Sequence, residues 1–589
     1  MKRYILVTIL LLSIASGCTM EDDVSDPGSY NAGNFPSIIS ELESVLVGAY
    51  SQQRGNSLYG FEYLSKVIFS LDHTADCGFT EFPQWNELQT NNVSVSNAYT
   101  QGTWAELYTG VQRSSTFLTA AQNYREKYMK AGEESNVSIM EGEAHFLRAF
   151  YYFHLINLYG ESFIINGVGG DMKGVPIIPT IKTIADTQVA RSTVREVWDY
   201  IIADLTTSID LLETQTWGGS NIARASGLAA KGMLGKAYVF TEDWANAKIV
   251  LKDVIDNSGK TLVAFDTYKK IFNGQNEFSQ ESLYEINVDR DLTSGFGTFT
   301  GPNITTAAGL IYAPTVMQDN ASAGAFGYGN IFLHDKNLER FGFQLPLYTL
   351  VDNPDFESNQ EVGIDNVEKV IDPDYFDDSN QLRIDKSVDP RLYVSALQPW
   401  VDELNDGTRD RLVLKAKEIP SNLQPLYYGW SLKKMSTLQG ILWNFKATDD
   451  SNIYFLRLAD IYLLYAEACS ETGDNAIALE YINKVKRRAY DFPVNASSPV
   501  DYTTLTSPTK ATDASLANNP LRYERWAELF GEGQWWFDVC RWKIGDKEAA
   551  FYGKTIPGDI QWSDAKSYKL PIPTAEINTN TKILQSSGY

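Results

Sequence analysis

Ala237-Tyr238-Val239-Phe240-Thr241-Glu242-Asp243-Trp244-Ala245-Asn246-Ala247 and Ala468-Cys469-Ser470-Glu471-Thr472-Gly473-Asp474-Asn475-Ala476-Ile477-Ala478 superpose residue for residue without a gap. In each copy an apolar helix runs into a tight turn, an Asp (Asp243, Asp474) caps a second helix, and an Ala-x-Ala pair opens it. Small side chains at those points let two antiparallel helices approach closely. That is the packing of tetratricopeptide-like hairpins, which bury their apolar faces only against neighbouring hairpins. The predicted fold class is therefore mainly α, a stack of helical hairpins carrying an irregular, loop-rich part.

Working outward, helical periodicity is expected over Thr103–Tyr128, Ile139–Tyr159, Ser192–Leu212, Tyr454–Ser470 and Leu521–Trp542. In the second of these, Phe146, Phe150 and Phe153 mark one face, while Leu147, Tyr151, Leu155 and Leu158 cover much of the rest. A helix apolar nearly all round is buried between others, so these rings are core. Tyr462, Tyr465, Trp535, Trp536 and Trp542 also stand at helical spacing and read as core. From about residue 285 to 450 the texture changes to Gly, Asn, Asp, Thr and Pro with interspersed aromatics, which suits loops and short strands on a helical scaffold. Beyond Phe551 the chain ends in Leu570-Pro571-Ile572-Pro573, where two prolines exclude a helix and predict an extended, packed tail.

The 589 residues carry 74 Asp and Glu against 50 Lys and Arg, a formal net charge of −24. Such a balance excludes nucleic acid and anionic lipid surfaces as natural partners and favours neutral ligands. At 43% hydrophobic and 13% aromatic, the chain has ample capacity for buried cores. Cys77, Cys469 and Cys540 are too few and scattered for a disulfide framework, and Cys469 and Cys540 read as buried thiols. His73, His145, His154 and His334 show no metal-ligand spacing, and Asp72, His73, Asp76 and Cys77 read as a polar turn; no metal or cofactor is expected. No Gly-x-Ser-x-Gly, His-Glu-x-x-His or Cys-x-x-Cys occurs, and the Gly167–Gly174 loop lacks the Walker spacing, so an enzyme is not expected.

The N-terminus adds an address. Lys2 and Arg3, the apolar run Tyr4–Ala15 and then Ser16, Gly17 and Cys18 make a secretory signal too short to remain as a membrane span. Cys18 directly after Ser16-Gly17 resembles a bacterial lipobox, although Ala15 stands where Leu is usual. The resemblance implies acylation of Cys18, and several acyl chains at about 0.8 kcal/mol per CH2 would hold the chain on a membrane. Glu21-Asp22-Asp23 resembles the acidic tag of lipoproteins sent to the outer face of the outer membrane.

A wider resemblance covers nearly the whole mature chain. Phe146-Leu147-Arg148-Ala149 with Tyr151-Tyr152-Phe153 and Tyr159-Gly160, Arg191-Ser192 with Val197, and the repeat within Ala225–Asp253 come first. Val388-Asp389-Pro390-Arg391-Leu392 and Phe455-Leu456-Arg457-Leu458-Ala459-Asp460 with Tyr465-Ala466-Glu467-Ala468 follow. Glu524-Arg525, Glu528-Leu529, Glu532-Gly533, Trp536-Phe537-Asp538, Arg541-Trp542 and Pro571-Ile572-Pro573 close the series. In this order they resemble the SusD/RagB outer-membrane nutrient-binding lipoproteins. One departure is Trp535, where the family commonly carries Arg, which puts a local ion pair in doubt. The resemblance implies a lid on a SusC-like TonB-dependent transporter in the outer membrane that captures glycans, or in some relatives peptides, without chemistry. It divides the chain into a signal peptide (1–17), a lipidated acidic tether (18–35), an N-terminal helical region (36–284), a loop-rich ligand-binding region (285–450) and a C-terminal helical region with its tail (451–589).

Sugar rings present C–H patches on one face and hydroxyls at the edge, so their recognition needs aromatic platforms beside amides, hydroxyls and carboxylates. Two clusters have that composition. The first is Phe79, Phe82, Gln84, Trp85, Asn86 and Gln89, with Trp85 either a platform or a loop anchor. The second is Asn303, Tyr312, Asn320, Phe326, Tyr328 and Asn330, either an open glycan surface or a loop packed by its own aromatics. Trp217, Trp400 and Trp430 are further candidates for ligand contact, each read first as structural. The rival functions are an oligopeptide-binding protein, a protein-docking adaptor and a glycosidase with two opposed carboxylates.

Overall fold

The computed structural model describes residues 35–77, 81–179, 184–213, 215–289, 306–312, 329–360, 366–404, 412–413, 429–435 and 451–589. Eight helices form its frame: α1 (Ile39–Gln52), α2 (Ala98–Lys127), α3 (Glu134–Tyr159), α4 (Val194–Leu212), α5 (Gly227–Phe240), α6 (Trp244–Asn257), α7 (Leu458–Glu471) and α8 (Asn475–Ala489). Each packs on the next in this order, so α7 docks on α6 although some two hundred residues lie between them in the chain. The two repeated stretches are α5–α6 and α7–α8. Their turns match atom for atom: Thr241 and Thr472 each donate N–H and hydroxyl to the carbonyls of Ala237 and Ala468. Glu242 and Gly473 both take left-handed φ, 55° and 87°, the usual way to end a helix. One detail differs from expectation. Asp243 caps α6 through the Asn246 N–H, whereas Asp474 caps nothing because its carboxylate is drawn to Lys248 of the other hairpin.

α3 lies at the centre, and Phe146, Leu147, Phe150, Tyr151, Phe153, Leu155 and Leu158 are all buried, each worth about 1.5–3 kcal/mol. Gly110 of α2 lets that helix close on it. A Cβ there would stand 2.4 Å from the Tyr151 ring, whose hydroxyl donates to the Ala49 carbonyl at 2.6 Å. Gly48 of α1 meets nothing within 4 Å. Alanine should therefore act oppositely at the two sites: Gly48→Ala should gain about 0.5–1 kcal/mol from helix propensity, and Gly110→Ala should lose about 1–3 kcal/mol to overpacking. Urea unfolding of both variants checks this, and a stabilising Gly110→Ala would show that the α2–α3 contact is loose.

Two expected helices are different in fact. Ile453–Arg457 is a strand, antiparallel to Ser282–Ile286, before α7 begins at Leu458; a short apolar run buried on both faces reads equally as strand or helix. Leu521–Trp542 is two helices, Pro520–Glu528 and Trp535–Arg541, because Gly531 and Gly533 take left-handed φ of 73° and 71° between them. Between the strands Ser282–Ile286 and Ile453–Arg457, the described residues form two-stranded antiparallel sheets and short helices. The tail packs as expected: Leu570 and Ile572 are buried, and the Leu570 N–H donates to the Leu158 carbonyl at the end of α3.

The charged residues quoted for the family resemblance are internal clasps. Asp460 of α7 accepts from Lys236 of α5 at 3.0 Å and Arg525 at 2.9 Å; Arg525 also holds Asp538, and Arg541 joins Asp538 to Glu467. Arg391 bridges Asp389 and Glu524 in the same way. At the departing position, the Trp535 indole donates to Glu548 at 3.0 Å, and Arg340 pairs with the same carboxylate at 2.7 Å. The charge comes from another helix.

Candidate functional site

Gly60 starts the site. A Cβ there would lie 2.3 Å from the Arg54 carbonyl, so only glycine lets the chain turn back into the wide π-helical turn Tyr63–Ile68, a geometry often found at functional sites. That turn sends Lys66 among three rings: its ammonium is 4.7 Å from the Phe61 centroid, 4.8 Å from Tyr99 and 5.5 Å from Trp85. Glu62 pairs with Lys66 at 3.3 Å and accepts from the Ser57 hydroxyl at 3.0 Å. Burial pushes the Tyr99 phenol up to about 12, with the Glu62 charge adding to it. Cation–π attraction and the ion pair together hold Lys66 in place.

The helix Pro83–Gln89 packs on this turn. Pro83 fixes its first residue, and Phe82 just before it is 44% exposed. Trp85 is only 2% exposed and its indole donates to the Ser70 hydroxyl at 3.0 Å. The reading of Trp85 as a stacking platform is thus corrected: it is the anchor, and Phe82, with its ring centroid 6.3 Å away, is the exposed ring above it. Asn86 is half-buried. Gln84 and Gln89 are committed to the fold, accepting from the N–H groups of Ala98 and Cys77. Phe79 lies outside the described residues.

The second cluster is anchored on the same face. The Thr306 hydroxyl donates to the Tyr59 carbonyl and the Ala307 N–H to the Gly60 carbonyl, both at 2.7 Å. The short helix Gly309–Tyr312 packs on the π-helical turn, and the Asn330 N–H donates to the Ile311 carbonyl at 2.7 Å. Ile331–Leu333 then pairs with Ala75–Cys77. Described residues on either side of the second cluster are therefore tied beside Phe61, Lys66 and the helix of Phe82. Asn303, Phe326 and Tyr328 lie outside the described residues, and of Tyr312 only the backbone is described.

Phe61, Lys66 and Tyr99 were not expected from the sequence, where the stretch Gly60-Phe61-Glu62 was the one available signal. Asp72 and His73 lie in the expected polar turn, His73 with a left-handed φ of 55°, but the turn is buried, and Asp76 and Cys77 belong to the buried strand Ala75–Cys77 that follows it. Burial raises the Asp76 carboxyl to about 8 and the Asp72 carboxyl to about 7, and lowers His73 to about 3. Among the described residues no group of three His, Cys, Asp or Glu could hold a metal ion, and no helix is long and apolar enough to cross a membrane. Of the remaining tryptophans, Trp430 is buried and Trp217 and Trp400 are half-buried; Trp535, Trp536 and Tyr465 are core, while Tyr462 and Trp542 are only half-buried.

The helical-hairpin scaffold thus presents an aromatic face with one cation and one carboxylate. Residues 280–589 match the family model described as the SusD family, and residues 23–239 match one described as starch-binding associating with outer membrane. The chain belongs to the SusD family. A SusD-like protein of Formosa agariphila is 23% identical over 93% of this chain and 91% of its own length. Among solved structures, a laminarin-binding SusD-like protein matches with a TM-score of 0.62 at 21% identity, covering 93% of this chain and 99% of that one. Surface glycan-binding protein A from Bacteroides fluxus matches with a TM-score of 0.64 at 19% identity, covering 94% and 100%. A SusD-like protein from Bacteroides fragilis matches with a TM-score of 0.67 at 18% identity, covering 94% and 98%.

Proposed function

We propose that this protein is a cell-surface lipoprotein, anchored to the outer membrane through acylated Cys18, that captures neutral oligosaccharides and delivers them to a SusC-like TonB-dependent transporter without chemical change. The observation that carries the reading is the convergence, in a SusD-family chain, of Phe61, Lys66, Tyr99 and Phe82 with the chain segments leading to Tyr312 and Tyr328. Phe82 and the rings of Phe79, Tyr312, Phe326 and Tyr328 would stack on sugar C–H faces; Asn86, Asn303 and the Lys66–Glu62 pair would meet hydroxyls. A net charge of −24 repels acidic glycans and leaves neutral ones.

The test is binding of the soluble chain that begins after Cys18 to neutral and acidic polysaccharides and to peptides, by affinity electrophoresis and then calorimetry. One neutral glycan class should bind saturably and without turnover. Phe82→Ala and Tyr328→Ala should each weaken it about tenfold, equivalent to about 1.4 kcal/mol. Variants that fold and bind as tightly as the parent would overturn the site. Binding of peptides alone would replace the glycan as ligand, and failure of the barrel to retain the lipidated chain would remove the transporter from the proposal.

A further inference from the structure

A cavity of about 320 Å³ opens where the turns of the two repeated hairpins meet the helices Pro520–Glu528 and Trp535–Arg541. None of the residues around Lys66 lines it, and all its walls are described residues. Its size is at the small end of the roughly 300–1,000 Å³ usual for ligand clefts, so it suits a body of one or two rings.

Its lining contains a guanidinium that makes no direct ion pair among the described residues, although the charges of Glu467, Glu548 and Asp538 act on it through space. The fully buried guanidiniums of Arg340, Arg391, Arg457, Arg488 and Arg525 each meet a carboxylate, as burial of a charge requires. Arg522, on the cavity wall, does not. Its guanidinium lies 5.1 Å from the Trp542 centroid, and among the described residues it makes no ion pair or side-chain hydrogen bond. Burial lowers its pKa, Arg541 adds to the fall, and Glu467, Glu548 and Asp538 oppose it. Trp542 is itself fixed, donating to Glu467 at 2.7 Å, and Glu467 is taken up by both terminal nitrogens of Arg541 at 2.6 Å. Also on the wall, Asn519 uses its side-chain carbonyl oxygen to cap the Arg522 backbone N–H at 3.0 Å, and its amide N–H₂ makes no hydrogen bond among the described residues. The Ser470 hydroxyl and the Glu471 carboxylate make no hydrogen bond among the described residues. Glu242 is held by the Asn166 N–H. The half-buried indole of Trp244 and the side chains of Leu505 and Ile482 supply the apolar wall.

The balance of charge decides the ligand class. Glu242, Glu467 and Glu471 stand against Arg522 and Arg541, an acidic excess that repels anions. Yet the lining offers both unused donors, from Arg522 and Asn519, and unused acceptors, from Glu471 and Ser470. A neutral ring bearing several hydroxyls satisfies both, because each hydroxyl donates and accepts, and its C–H face fits the Trp244 indole.

We propose that this cavity is a second binding site, separate from the Lys66 face, for one neutral glycosyl unit, with Arg522 and Glu471 reading its hydroxyls and Trp244 packing on its ring. The class of ligand rests on the glycan reading above; the site does not.

The mature chain beginning after Cys18 should be titrated with methyl glucopyranosides, methyl galactopyranosides and sodium glucuronate, read by saturation-transfer NMR and calorimetry. At least one neutral glycoside should bind saturably in the millimolar range. Arg522→Met and Glu471→Ala should each weaken it about tenfold, while Ile384→Ser, on the exposed end of the helix Pro373–Ile384 and in neither site, leaves it unchanged. Both variants remove side chains without polar partners, and Glu471 is exposed, so Glu471→Ala carries the test should Arg522→Met fail to fold. The proposal is overturned if no neutral glycoside saturates, if glucuronate alone binds, or if neither variant changes the affinity. Oligosaccharide binding lost in Phe82→Ala but with no glycoside bound to the cavity would remove this site and leave the Lys66 face standing. Glycoside binding lost only in Arg522→Met and Glu471→Ala, with Phe82→Ala silent toward oligosaccharides, would do the reverse.

Discussion

Arg457→Ala should cost at least about 3–5 kcal/mol, the range for breaking a buried ion pair by removing one partner. Arg457 uses every donor it has. Its guanidinium reaches Glu281 at 2.7 Å, the Glu528 carboxylate at 2.6 Å, both Glu532 oxygens at 2.8 Å and the Glu528 carbonyl at 2.8 Å. Glu281, Glu528 and Glu532 are 0%, 0% and 3% exposed, so water cannot replace what is lost. Burial pushes the Glu528 carboxyl up, but Arg488, Arg457, Arg391 and Lys434 outweigh it and hold the group well below the usual carboxylate range. Without Arg457, three carboxylates would rest on Arg488, Lys434 and the longer 3.5 Å contact of Glu528 with Arg391, and burial has already lowered Lys434 to about 8. Arg457→Lys should recover little, because one ammonium cannot match a fork that spans three carboxylates. Urea unfolding at pH 7 of parent and variants measures the difference. A loss below about 1 kcal/mol would mean that this network merely tolerates burial.

That network also shows where sequence reading stops. The hairpin turns were legible because every determinant is local: Thr241 and Thr472 reach back four residues, and Glu242 and Gly473 sit at the same place in each turn. The burial of Phe146, Phe150 and Phe153 was equally legible from the helix period. By contrast Arg457, Glu281 and Glu528 come from three distant segments, and nothing in their spacing says which carboxylate meets which guanidinium. Trp85 and Phe82 stand three residues apart in one polar-looking stretch, yet one is buried and the other exposed. The difference is set by Ser70 and by the packing of the π-helical turn. Lys66 escaped notice because its partners Phe61, Trp85 and Tyr99 are assembled by tertiary contact. Trp542 was placed in the core by its helical spacing. It is held half-open by Arg522 and Arg541, which turned a predicted core residue into part of a cavity wall.

The second large effect is a dependence on pH that runs opposite to ordinary acid denaturation. Asp76, 2% exposed, lies behind the candidate face with its carboxyl raised to about 8, chiefly by burial; Asp335 adds to the rise and the Ile556 N–H opposes it. His334, 3.9 Å away, offers no positive charge near neutrality because burial lowers it to about 4. Asp72, 4% exposed, is raised to about 7 by burial, with Thr74 opposing and Glu548 adding. In the unfolded chain both ionise near 4. Their contribution is therefore fully present below that value and is lost as pH rises through 7 and 8, with an upper limit for Asp76 on the order of 5 kcal/mol. On the acid side the opposite holds. Asp460, held at about 2 by Lys236 and Arg525 against the effect of burial, loses its contribution as pH falls below about 4. His73, His154 and His334, which burial lowers to about 3, 4 and 4, likewise lose their contribution as pH falls from about 6.5, so stability should peak near pH 6 and decline as pH rises from there to about 8. Asp76→Asn, which keeps the uncharged form, should flatten the alkaline limb of a melting-temperature profile. A parent profile level from pH 5 to 9, or an equal loss for Asp76→Asn at every pH, would sink this account. The consequence reaches the ligand face, since Ala75–Cys77 pairs with Ile331–Leu333, just after the stretch that contains Phe326 and Tyr328. Charging Asp76 loosens the strand pair that ties the two clusters together, so glycan affinity should fall over the same alkaline range in the parent and hold in Asp76→Asn.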